Sequence, residues 1–234
     1  HYAQKLQDLN VKRQDLTREA QETIRAKLGE MPYPLIFESD ASLLPGIVGL
    51  VAGRLTEEYY LPSVIMELGE EESRASCRSV PGFDITAALD QCADLLVRHG
   101  GHALAAGFTV RNDNIDALKA RLIDIATQQL YGQELKPRIE IDAVLNVHEL
   151  NEELVKELAL LEPTGNANRP PTFALMNAQV TEARTVGADN RHLKLRIARA
   201  GLPPLDAIGF GLGDNSERLN NARADLAFQL EMNV

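Results

Sequence analysis

Apolar residues recur at helical spacing at Leu6, Leu9, Leu16, Ala20, Ile24 and Leu28, which predicts a long amphipathic helix at the start of the chain. Gly29 offers it a C-terminal stop, and Pro32 and Pro34 forbid its continuation. The next apolar runs are short. Leu35-Ile36-Phe37 and Ser63-Val64-Ile65-Met66 predict strands flanking a helix with Ile47, Val48, Val51, Leu55 and Tyr59 on one face, a β-α-β unit. Asp84 is placed to cap a helix whose stripe runs through Ile85, Ala88, Leu89, Cys92, Leu95 and Leu96, and whose end delivers a turn at Gly100-Gly101. A further helix carries Ile115, Leu118, Leu122, Ile125 and Ala126 and ends near Gly132. Residues 35 to 132 thus read as one α/β domain.

After Lys136-Pro137 the period changes. Ile139 and Ile141 alternate with Arg138, Glu140 and Asp142 as a strand would, and Leu150, Leu154, Leu158 and Leu161 follow at helical spacing. From Phe173 onward, short alternating strands are expected, separated by Gly187-Ala188-Asp189-Asn190, Gly201-Leu202-Pro203-Pro204 and Gly213-Asp214-Asn215, the pattern of a small antiparallel barrel. A helical pattern is already running at the first residue, His1, and a strand pattern is still running at Leu226 to Met232. The expectation is a piece of a longer protein whose barrel is incomplete or differently closed.

At 234 residues, with 44% hydrophobic and 25% charged, the chain can bury the cores of two modest domains. No apolar run approaches the roughly 20 residues of a membrane span and no signal-peptide pattern opens the chain, so a soluble, cytoplasmic protein with no membrane partner is expected. Cys77 and Cys92 give neither a disulfide framework nor metal-ligand spacing. A net charge of −10 sits badly with a polyanion partner, so any nucleic-acid site must be local. Acids collect at Glu67 to Glu72 and Glu149 to Glu162, whereas Arg184, Arg191, Lys194, Arg196 and Arg199 meet only Asp189 along their own stretch. Within it, strand alternation sends His192, Lys194 and Arg196 one way and Leu193, Leu195 and Ile197 into the core. Such a row can follow a phosphodiester backbone, and alternation alone fits a solubilising face equally well. Aromatic residues are scarce, at 5% with no Trp, and Phe173, Phe210 and Phe228 are expected in the core.

Arg98 to Phe108 concentrates two glycines, a histidine and a run of small residues. Small side chains permit close approach of a phosphate or sugar, but on glycine spacing alone a tight helix-to-strand turn is the better explanation. Arg78 beside Ser79 could present a guanidinium fork and a hydroxyl to one phosphate. Read alone, it is an ion-pair partner for Glu70 to Glu72.

Gly100-Gly101-His102-Ala103-Leu104-Ala105-Ala106-Gly107 resembles the G-G-H-x-x-A-A-G motif of the DHH-associated domain. Four further stretches are similar, in order, to the RecJ family of single-strand-specific exonucleases: Pro45 to Leu55, Ser76 to Asp84, Leu161 to Pro171, and His192-Leu193-Lys194-Leu195. The resemblance implies an α/β architecture in three parts: a linker helix (1–34) from a DHH catalytic domain absent from this chain, a DHH-associated α/β domain (35–133), and an oligonucleotide-binding (OB-fold) barrel (137–234). It implies DNA contact by Ser76, Arg78, Ser79, Gly100, Gly101 and His102, and with the strand row by Arg191, His192, Lys194 and Arg196. It further implies 5′-to-3′ exonuclease activity on single-stranded DNA in recombination and repair, with single-strand-binding or other repair proteins as further partners. No D-x-D-G or Asp-His-His occurs here, so no catalytic or metal-binding residue is assigned. The Mn²⁺ or Mg²⁺ is expected in the DHH domain, and this chain alone is expected to be inactive. Leu44, Ala75, Thr164, Ala167 and Arg169 depart from the family pattern, and the 163–171 loop is given no binding role. Two other functions share some of these features: a DHH phosphodiesterase acting on short oligonucleotides or dinucleotides, and a non-catalytic protein-interaction module.

Overall fold

The computed structural model describes residues 2–29, 33–165 and 167–232, so the Pro32 helix stop and Asn166 of the 163–171 loop lie outside the described residues. The chain divides into two units, His1–Pro137 and Arg138–Val234.

In the first unit, α1 (Tyr2–Leu28) buries only its second half: Leu16, Ala20, Ile24 and Leu28 pack in a core, while Leu6 and Leu9 stay exposed. Strands β1 (Ile36–Asp40) and β2 (Ser63–Glu67) pair in parallel around α2 (Val48–Tyr59), the β-α-β unit expected. The strand β3 (Glu72–Arg78) then pairs antiparallel with β2. Helix α3 (Ile85–Asp90) starts where Asp84 accepts a 3.0 Å hydrogen bond from the Ala87 amide, the cap expected.

The helix does not run on to Leu96. It gives way to a short 3-10 turn at Ala93–Leu95 and then to β4 (Leu96–His102), which forms a hairpin with β5 (Ala105–Arg111). Leu95 and Leu96 still pack on the core, as their place in the stripe requires, but the backbone partners offered by β5 outweigh helix continuation through two glycines. Gly100 and Gly101 are therefore strand residues and make no turn. Gly101 is needed for close packing, because a Cβ there would lie 2.3 Å from the Ala105 carbonyl oxygen. With α4 (Ile115–Leu130), the unit is a five-stranded sheet in the order β1-β2-β3-β5-β4.

Helices α3 and α4 cover one face over Val64, Met66, Cys77, Phe108 and Val110. The other face receives α1 and α2 over Ile36 and Ile65, and α2 reaches across to the Ser76–Arg78 end of β3. Each fully buried Leu or Ile contributes about 1.5–3 kcal/mol, so these two interfaces hold the sheet. Beyond α2, the second face of β5 and β4 is open among the described residues, with nothing within 4 Å of where a Gly100 Cβ would stand.

In the second unit the strand expected at 139–142 is an exposed extended segment, and the strand there is the two-residue β6 (Ala143–Val144), parallel to the start of the next one. Ladder bonding begins where Asp142 N donates to Thr172 O at 2.8 Å; before that, Pro170 and Pro171 have no N–H to offer a neighbour. Asn151 caps α5 (Glu152–Leu158) through a 2.9 Å bond from the Leu154 amide. The sheet then runs through β7 (Phe173–Val186), β8 (His192–Arg199), β9 (Leu202–Gly209), α6 (Ser216–Leu219) and β10 (Arg223–Phe228), in the order β10-β7-β8-β9. β7 is one long strand rather than two short ones: its first half pairs with β10 and its second with β8, across a bulge between Val180 and Glu182. Leu202-Pro203-Pro204, expected in a turn, opens β9, an edge strand whose outer side needs no ladder donor.

Candidate nucleic-acid interface

Register brings the first unit's separated motif residues together. Ser76 pairs with Gly107 and Gly107 with Gly100; Arg78 pairs with Ala105 and Ala105 with His102. Alternation puts both rows on the sheet face opposite Cys77, Ala106 and Phe108, which is the face beyond α2. Its floor is made of glycine and alanine, with an arginine and a serine on one side and a histidine on the other. Gly100 is open, with nothing within 4 Å of where a Cβ would stand.

Arg78 is held in place. Its Nη1 donates to Ser76 Oγ at 3.2 Å and to the Cys77 carbonyl at 2.8 Å. The α2 residue Gly49 lies so close that a Cβ would stand 3.0 Å from Ser76 Oγ and 3.1 Å from Arg78 Nη2. The resulting groove, about 450 Å³, is lined by Pro45, Gly49, Leu50, Arg74, Ser76 and Arg78. The ion pair expected between Arg78 and Glu70 to Glu72 does not form among the described residues, because the extended strand carries Arg78 away from them at about 3.3 Å per residue.

Two of the expected contacts lie apart from this face. Gly101 pairs with Ala106 on the opposite side of the strand. Ser79 sits past the end of β3, its hydroxyl donating to Phe83 O at 2.6 Å and holding the Pro81-Gly82 turn. His102 ends β4 with its side chain exposed and its carbonyl accepting from Thr86 Oγ1. His99, facing the other way, pairs with Asp90 at 2.8 Å. Cys77 is fully buried, which pushes its thiol up to about 12 and leaves it unreactive at neutral pH.

In the second unit, Leu193, Leu195 and Ile197 are buried and His192, Lys194 and Arg196 face outward, as alternation predicts. These cations are not free. Lys194 Nζ lies 2.9 Å from Asp206, Arg196 is 3.7 Å from both Asp206 and Glu182, and Arg184 is 3.3 Å from Glu182. The hydrogen bond from Lys194, with the charges of Lys194, Arg196 and Arg184, holds the Asp206 carboxyl below the usual range. Arg191 lies in the preceding loop, 3.1 Å from Asp189. Phe173 is buried and Phe228 packs against it with ring centroids 6.1 Å apart, but Phe210 is 77% exposed, contrary to the core position expected. Its ring meets His192 edge-on at 5.3 Å, and His192 Nδ1 accepts from the Gly211 amide.

Comparison with known proteins accounts for both units. The model of the DHHA1 domain matches residues 33–128, and that of the RecJ OB domain matches 141–234. The single-stranded-DNA-specific exonuclease RecJ of Bacillus subtilis is 32% identical over 221 residues, covering 92% of this chain and 28% of that protein. The same-named protein of Thermus thermophilus is 34% identical over 156 residues, 65% of this chain and 22% of that protein. The crystal structure of Thermus thermophilus RecJ in complex with Mg²⁺ superposes with a TM-score of 0.77 at 28% identity, over 98% of this chain and 34% of that one. The chain belongs to the RecJ family. It corresponds to the C-terminal region of RecJ and spans about a third or less of the length of these relatives.

RecJ of Thermus thermophilus has been crystallised with Mg²⁺ and with Mn²⁺. Among the described residues here, no three His, Cys, Asp or Glu side chains cluster as ligands for such an ion. No helix among the described residues is long and apolar enough to cross a membrane. The RecJ motif stretches also left part of the open face unnoticed. Arg74, Arg98 and Thr109 share it: Arg74 pairs with Thr109, and Arg98 Nε donates to Thr109 Oγ1 at 3.1 Å. The alternation that would have found Arg74 is present in Glu72 to Arg78, but its inward positions are the small residues Ser73, Ala75 and Cys77, which do not register as an apolar stripe.

Proposed function

We propose that this chain is the substrate-gripping part of a RecJ-type exonuclease that degrades single-stranded DNA from 5′ to 3′ in recombination and repair, in the cytoplasm. In this reading α1 (within residues 1–34) links to a DHH domain that carries Mn²⁺ or Mg²⁺ and performs the hydrolysis. Residues 35–133 and 137–234 hold the strand. The observation that carries the reading is the convergence of Ser76, Arg78, Gly100 and His102 on one sheet face floored by Gly107 and Ala105. A guanidinium pre-oriented by Ser76 offers its remaining N–H groups to a phosphate, and the bare floor lets the sugar-phosphate chain approach the sheet. Arg191, His192, Lys194 and Arg196 add a weaker contact, since ion pairs already occupy the charges of the first and last two. Single-strand-binding and other repair proteins are the expected partners of the whole enzyme.

The test is fluorescence anisotropy of this chain with labelled single-stranded and duplex DNA at low and moderate salt. Salt-sensitive binding that prefers the single strand, without cleavage when Mn²⁺ is added, is the expected result. No binding at low salt would overturn the reading, and equal affinity for duplex would remove its single-strand selectivity.

A further inference from the structure

The open face continues past the motif residues. Along β3, β5 and β4 the rows are Arg78–Ala105–His102, Ser76–Gly107–Gly100, Arg74–Thr109–Arg98 and, at the far end, Glu72–Arg111. Successive rows lie about 7 Å apart, two strand residues each, the same scale as the phosphate repeat of an extended nucleic-acid strand. Four arginines thus stand along one face of a chain whose net charge is −10. None of the four forms an ion pair among the described residues, although Glu67 and Glu72 are register partners of Arg74 and Arg111. A depression of about 260 Å³ lies between Arg74 and Arg98 over Gly107 and Thr109, and Arg74 also lines the groove beside Ser76 and Arg78, so the two hollows adjoin. Arg98 is preset: Nε is engaged by Thr109, which is itself only 5% exposed, and its terminal nitrogens remain available for a bidentate contact.

We propose that this face is a phosphate track in which Arg74 and Arg98 clamp the backbone of an extended single strand beyond the Arg78 and His102 site, with Arg111 as its far end. The inference rests on the proposed function and extends it by naming residues outside the RecJ motif stretches. A track of this length holds about three to four phosphates. Contact is with the backbone alone, so it is indifferent to base sequence.

The experiment uses this chain and fluorescein-labelled oligo-dT of 12 nucleotides, titrated across a range of salt. The Arg74→Gln/Arg98→Gln double variant is expected to bind about tenfold or more weakly, with the slope of log affinity against log salt reduced by about 1.4, two phosphates at ~0.7 each. The charge-keeping Arg74→Lys/Arg98→Lys variant is expected to retain the slope while losing part of the affinity, a split that a merely structural role would not produce. Thermal melting of each variant reports whether the fold is intact. Unaltered affinity and slope in the Gln pair, together with lost binding in Arg78→Gln, would overturn the track and leave the proposed function standing. Absence of binding by the unaltered chain would overturn both.

Discussion

The two units carry their positive charge in opposite ways. Along the sequence the second unit is basic, with Arg184, Arg191, Lys194, Arg196 and Arg199 around a single Asp189, yet its sheet brings Glu182 from β7 and Asp206 from β9 onto the same face and pairs the row off. The first unit is acidic along the sequence where β3 begins, beside Glu67, Glu70, Glu71 and Glu72, yet its strands carry Arg74, Arg78, Arg98 and Arg111 onto a face where none has a carboxylate partner among the described residues. Charge counted along a strand misleads because the residues of the neighbouring strands in the ladder decide what each side chain meets. Affinity for a polyanion follows the cations that remain unpaired.

The sharpest way to break this comparison is to neutralise one unit at a time. Arg78→Gln removes charge-assisted bonds worth about 1.5–3 kcal/mol, so single-strand affinity is expected to fall about 10- to 100-fold. Lys194→Gln with Arg196→Gln removes charges that already have partners and is expected to cost no more than about threefold. Anisotropy titrations of both variants at one salt concentration decide it, and a larger loss from the second unit would reverse the comparison. The complementary change releases the paired cations. Asp206→Asn with Glu182→Gln leaves Lys194, Arg196 and Arg184 without acids and is expected to raise affinity several-fold and steepen the salt slope by about 0.7 for each phosphate gained. No change in slope would mean that pairing is not what silences the row.

A smaller effect is expected from the helix beside Arg78. In Gly49→Ala the added methyl would stand 3.0 Å from Ser76 Oγ and 3.1 Å from Arg78 Nη2. The serine hydroxyl can rotate and the guanidinium, the far end of a flexible side chain, can move aside, at the expense of the Ser76–Arg78 hydrogen bond rather than of the fold. The expected outcome is an unchanged melting temperature with a few-fold weaker DNA binding. A lowered melting temperature would instead make Gly49 a packing residue.

How much of this was legible depends on what marks each element. The β-α-β unit, the Asp84 cap and α4 were legible because large apolar side chains recur at their period and the cap residue has one function. β3 was not, because its buried positions are Ser73, Ala75 and Cys77, small residues that leave a faint stripe. Nor was β5, because its large core residues Phe108 and Val110 follow the small Ala105-Ala106-Gly107 and make only a short stripe. The helix drawn to Leu96 had its stripe right and its backbone wrong: Leu95 and Leu96 reach the same core from a 3-10 turn and a strand. In the candidate site, the motif resemblance pointed to Ser76, Arg78, Gly100 and His102; alternation along β3 carries Arg74 onto the same face, and only register could add Arg98 and Arg111, since neighbours across a sheet leave no trace in spacing along the chain. Phe210 was misplaced for the converse reason. An aromatic residue in a strand-rich stretch is usually core, and only the turn after β9 leaves this one exposed beside His192.

The smallest expected effect separates the two units by pH. The folded value of Asp206 is lowered, chiefly by the hydrogen bond from Lys194, relative to an unfolded carboxyl near 3.9. Its ion pair therefore stabilises fully above the unfolded value, and that contribution is lost as pH falls through the lower folded one. Asp206→Asn should thus melt slightly below the unaltered chain at neutral pH, and the two curves should converge once the pH has fallen through the lowered folded value. The gap is small because both partners are solvent-exposed and screened by salt. The open-face arginines have no such carboxylate partner among the described residues, so Arg74→Gln should leave the melting temperature unchanged at either pH while weakening DNA binding at neutral pH. A pH-dependent stability change in Arg74→Gln would mean that Glu67 or Glu72 pairs with it in solution. The first unit would then be charge-compensated in the same way as the second.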